Sequence, residues 1–218
     1  MRLLRVVPAA LILCGPGLAF AQGWAEYASP ADFFSVNFPG EPVVEELAYT
    51  SEYEAELPAR VHAWEDGAAR YSVTVVDYAE AERIHTERAK NCPPDAHTGC
   101  SGATYTGVGS WIVDVRGAMD FATWGFLARD AKPTFFGWNF VDLVEGRHLQ
   151  LTNADGTRTF AAIYMHEDRL YILEATAPPG RFGPELFQQS LRFLDAAGNP
   201  LRYERVYVNG FPPPPRVR

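Results

Sequence analysis

Two neighbouring segments near the C-terminus, Phe160-Ala161-Ala162-Ile163-Tyr164-Met165 and Leu170-Tyr171-Ile172-Leu173, are apolar or aromatic at every position. Side chains of a strand alternate between two faces, so such a run reads as a strand only if both faces are covered. The polar turn His166-Glu167-Asp168 joins the two segments, and Asn153-Ala154-Asp155-Gly156 precedes them. A three-strand antiparallel meander over residues 149–152, 158–165 and 169–177 is predicted, with residues 134–143 joining its edge. Helices are then expected on each face. One spans residues 110–130, apolar on the face of Trp111, Val115, Ala118, Met119, Ala122 and Phe126, with Ser110 to cap it and Pro133 beyond its end. The other starts at Pro184-Glu185 and presents Leu186, Phe187, Ser190, Leu191 and Leu194.

The N-terminal half is also strand-rich. Phe34, Val36 and Phe38 alternate with Ser35 and Asn37 before the stop Pro39-Gly40-Glu41-Pro42, and residues 43–49 return as a second strand. Asp66-Gly67 is a hairpin signal between residues 60–65 and 70–78. Residues 79–90 read as a solvated helix. Leu201 opens a short extended segment to residue 208, and Phe211-Pro212-Pro213-Pro214-Pro215 leaves as polyproline.

Residues 1–21 carry an export pattern. Arg2 and Arg5 precede an apolar run over residues 6–20, and Ala19-Phe20-Ala21 offers the small-x-small site for cleavage before Gln22. The run is short for a membrane span and is broken by Pro8, Gly15, Pro16 and Gly17, so no stable membrane anchor is expected. A lipid anchor at Cys14 would need a small residue where Leu13 stands. The expected organisation is a signal peptide at 1–21, one α+β domain at 22–208 and a flexible Pro-rich tail at 209–218, located in the periplasm or secreted. With 5 Trp, 10 Tyr and 14 Phe there is ample material for a core. The chain holds 19 basic against 27 acidic residues, a net charge of −8, and loss of Arg2 and Arg5 makes it more negative. Nucleic acid is therefore not expected as a partner.

Export leaves Cys92 and Cys100, which flank Pro93-Pro94-Asp95-Ala96-His97-Thr98-Gly99. In an oxidising compartment this reads first as a disulfide, contributing about 2.5 kcal/mol by loop entropy. The alternative is metal binding by Cys92, His97 and Cys100, for which a fourth ligand is not evident. Otherwise the sequence holds no phosphate loop, no HExxH and no G-x-S-x-G, and no cofactor is implied. His62 and His148 read as structural strand histidines, His85 as part of the polar helix, and His166 as a solvated turn residue. Trp111, Trp124, Phe135, Phe136, Trp138, Phe140, Tyr164 and Tyr171 read as core first, with a pocket for a hydrophobic ligand as the alternative.

The strand over residues 33–38 with its Pro39-Gly40-Glu41-Pro42 stop, and the closing Phe187-Gln188-Gln189-Ser190-Leu191-Arg192-Phe193, resemble the motifs that bracket Mog1/PsbP-like domains. Residues 158–167 and 170–176 are similar to a group of uncharacterised secreted alphaproteobacterial proteins. The resemblance implies an α/β/α sandwich with a largely antiparallel sheet, and a family that is mostly non-enzymatic. No catalytic residue carries over with it. The expected function is that of a periplasmic accessory or binding protein for an unknown protein or small ligand. A secreted hydrolase whose site forms only in the fold is the alternative.

Overall fold

The structure is a computed structural model that describes residues 23–93, 109–180, 184–209 and 212–217. In chain order the described residues form β1 Ala25–Ser29, β2 Phe34–Phe38, β3 Val43–Thr50, β4 Glu56–Asp66, β5 Ala69–Asp77, helix α1 Ala81–Lys90, helix α2 Ser110–Leu127, β6 Ala131–Val141, β7 Val144–Asn153, β8 Arg158–His166, β9 Arg169–Ala177, helix α3 Glu185–Gln189 and β10 Arg192–Phe193. Seven strands make one sheet in the order β3-β4-β5-β9-β8-β7-β6, antiparallel throughout, and β1-β2-β10 make a second.

Strand parity divides the apolar side chains between two layers. Val73, Val75, Ala162, Tyr164, Tyr171 and Leu173 point to one face and meet Phe34, Val36, Phe38, Phe187 and Phe193. Val76, Ala161, Ile163, Met165 and Leu170 point to the other, under Ala118, Met119, Ala122 and Phe126 of α2 and Ala81 of α1. The unbroken apolar runs of β8 and β9 thus have the predicted cause. Ile163 is fully buried against α2, so Ile163→Ala should lower stability by about 2–5 kcal/mol in urea unfolding. A loss below about 1 kcal/mol would mean that this face is not closed as described.

Helices do not cover the two faces equally. α1 and α2 lie on one; the other is covered mainly by the small sheet, with α3 only five residues long. The helix expected over 184–194 stops because Arg192 and Phe193 pair with Ser35 and Phe34 of β2, a contact across the whole chain that local periodicity does not reveal. Pro184 is the cap of α3 rather than its first residue, and Leu186 is exposed. Likewise β2 pairs with β1, not with β3, and the Pro39–Pro42 stop carries the chain from one sheet to the other. The cap of α2 is Gly109, which frees the Ser110 hydroxyl for another partner.

The proline tail is not free over its described part. Residues 212–217 run back along the segment at 202–204: Glu204 N–H donates to the Pro215 carbonyl and Val217 N–H to that of Arg202. Proline lacks a donor but keeps its acceptor, which is all this pairing asks of Pro215.

Candidate functional site

α2 crosses its face of the large sheet without covering the β3 end. Between them lies a groove of about 540 Å³, lined by Leu47 and Tyr49 of β3, Val61 of β4, Ile172 of β9 and Phe121 and Trp124 of α2. Parity builds it: Leu47 faces Ala59, Tyr49 faces Leu57 and Val61 faces Thr74 across the strands, so their side chains share the helix side. At one end Arg129 binds Glu174 through two bonds, 2.6 and 3.1 Å, with the guanidinium 4.1 Å above the Phe126 ring. Burial, with the nearby Asp114 charge, pushes the Tyr49 phenol up to about 12, so it stays a neutral donor. A mainly apolar concavity of this volume with a few fixed polar groups suits a small hydrophobic ligand.

Two sets of polar residues converge elsewhere, and neither was legible in the spacing. In the first, Asp114 of α2 accepts from Ser51 Oγ at 2.5 Å and pairs with His85 Nε2 of α1 at 2.8 Å, while Ser110 Oγ lies 3.4 Å from His85 Nδ1. These are the residue types of a hydrolytic triad. Yet all four are sealed: Asp114 is 0%, Ser110 1%, Ser51 2% and His85 4% exposed. None of them lines the groove between α2 and the sheet. The set ties α1, α2 and the β3–β4 connection together. His85 is on the inner face of α1 with Ala81, so the expectation of a wholly solvated helix is corrected; the i, i+4 spacing of the two was the available signal.

In the second set, Asp32 accepts from Ser29 Oγ at 2.8 Å and from Arg60, and pairs with His62 Nε2 at 2.9 Å; Tyr27 OH is 3.0 Å from His62 Nδ1. Burial alone would raise the Asp32 carboxyl, but hydrogen bonds from His62, Arg60 and Ser29 outweigh it and bring it down to about 2. Asp32 is thus a buried anchor between the two sheets, with the Tyr171 hydroxyl donating to its carbonyl at 2.9 Å.

The remaining histidines have structural partners. His148 meets Asn139, and His166 packs on Phe193 with Nε2 2.6 Å from the Tyr203 hydroxyl. His166 is 1% exposed, because residues 201–207 fold over the turn expected to be solvated. Of the aromatics expected in the core, Tyr164 and Tyr171 are there, but Trp124, Phe135, Phe136, Trp138 and Phe140 are exposed. Cys92 follows α1, whereas His97 and Cys100 lie outside the described residues, and with them the disulfide and the metal alternative. Residues 1–21 lie outside them too. Among the described residues no helix is long and apolar enough to cross a membrane.

The chain is similar to a cyanobacterial PsbP. The solution structure of that protein from Synechocystis sp. superposes with a TM-score of 0.42 at 12% identity, covering 83% of this chain and 98% of that one. No function passes across so distant a likeness. No protein-family profile and no curated protein matches the chain.

Proposed function

We propose that this is an exported, non-enzymatic binding protein that holds a small apolar ligand in the groove between α2 and strands β3, β4, β5 and β9. The observation that carries the reading is the contrast between that open groove and the sealed Ser51–His85–Asp114 set with Ser110. Catalysis needs a nucleophile that substrate can reach, whereas binding needs only a concave apolar wall and a few polar groups. The Arg129–Glu174 pair at the rim takes the polar end of an amphiphilic ligand, with Glu174 accepting and Arg129 donating. Export by residues 1–21 and a Cys92–Cys100 disulfide belong to the same proposal.

Titration with 1-anilinonaphthalene-8-sulfonate tests it. Saturable one-to-one binding is expected, weakened at least tenfold by Leu47→Glu, which puts a negative charge on the groove wall, repelling the sulfonate, at a partly exposed site. Binding unchanged by Leu47→Glu, or no saturable binding, would overturn the groove as the site. Ester hydrolysis abolished by Ser110→Ala in a variant that still folds would favour the hydrolase instead.

A further inference from the structure

The two edges of the seven-stranded sheet are treated differently by the sequence. β3 carries Glu45 and Glu46 in its middle, the charged guard that keeps an open edge from pairing with another chain. β6 has no charged residue between Pro133 and Val141. In their place stand Phe135, Phe136, Trp138 and Phe140, between 46% and 73% exposed, and no described residue pairs with their outer edge. An unguarded aromatic edge is costly to leave in water.

From this we infer that β6 pairs antiparallel with β6 of a second copy, joining two seven-stranded sheets into one across a two-fold axis at Gly137. The strand is self-complementary about that residue. Counting outward from Gly137, Phe136 of each copy falls opposite Trp138 of the other, giving two aromatic cross-strand pairs on the helix side of the sheet. Phe140 falls opposite Thr134, and Phe135 opposite Asn139. Pro133, without an N–H, closes the ladder, and the register shift between Pro133 and Phe135 marks the same limit against β7.

Gly137 suits the axis. Two residues related by a two-fold in antiparallel strands face each other directly, and the Phe135 ring already lies over the space that a side chain at 137 would take. A two-fold perpendicular to the sheet also keeps α2 of both copies on one side, so the pairing is closed and isologous rather than fibre-forming. A foreign extended strand would find the same free backbone but would have to supply its own aromatic side chains opposite Phe136 and Trp138, which the second copy brings by symmetry.

Sedimentation of the full chain at micromolar concentration should show a dimer. Trp138→Glu, at a site 73% exposed in the single chain, should weaken dimerisation at least tenfold while leaving the monomer's fold, read by circular dichroism, unchanged. A chain that stays monomeric through the micromolar range, or a dimer indifferent to Trp138→Glu, overturns the inference.

Discussion

Replacing Asp114 by alanine is expected to destabilise the protein by about 3–5 kcal/mol, one of the two largest effects foreseen here. The reason is not the loss of one favourable contact. Asp114 has no exposed surface, and its Oδ2 is the common acceptor for Ser51 and His85. Without it, a buried hydroxyl and a buried imidazole N–H lose their acceptor where no solvent replaces it, and each unsatisfied group costs about 1–3 kcal/mol. Asp114→Asn keeps the volume and one acceptor oxygen, so its cost should fall well below that of alanine. Urea midpoints of the two variants measure the difference. Equal, small losses for both would show that the cluster is open to water, which would revive Ser110, His85 and Asp114 as a reactive set.

That cluster also shows where sequence reading stops. The meander was legible because its signals are local: turn residues at 153–156 and 166–168, and apolar runs that fill both strand faces. α2 was legible from the spacing of Ala118, Met119, Ala122 and Phe126, all of which are buried. The failures share a cause in partners that are remote in sequence. Ser51 and Asp114 are 63 residues apart, Asp32 and His62 are 30 apart, and β10 reaches back to β2 from the far end of the chain. The aromatic run of β6 failed for another reason. Alternation specifies a strand but not whether that strand is central or at an edge, so residues assigned to the core stand at the surface. The groove likewise depends on how far α2 reaches across the sheet, which no pattern within α2 encodes.

Acidification from pH 7 to pH 3 should remove roughly 4 kcal/mol of stability through His166 alone. Burial is the main cause of its low affinity for protons, and the positive charges of Arg216 and Arg169 add to it; together they bring the imidazole from 6.5 down to about 3. Glu167, in the adjoining turn, is bonded to Arg216, and the Tyr203 and Tyr207 phenols that pack on the ring are held neutral, Tyr203 being pushed up to about 12 chiefly by burial. Below pH 6.5 the unfolded chain takes up a proton that the folded chain refuses until about pH 3. The unfolded state therefore binds more protons across that window, and stability falls as pH falls. Asp32 acts in a lower window. Its carboxyl is held down at about 2, against 3.8 in the unfolded chain, so the stability it gives is present above pH 3.8 and is lost as pH falls towards 2. The two contributions can be separated. His166→Gln keeps a polar atom for the Tyr203 hydroxyl but does not titrate, so its urea midpoint should vary far less than that of the wild type between pH 6.5 and 4, while both should drop below pH 3.8. An unchanged slope in His166→Gln would mean that the ring is already accessible to protons in the native protein, and that residues 201–207 and the returning tail do not seal it.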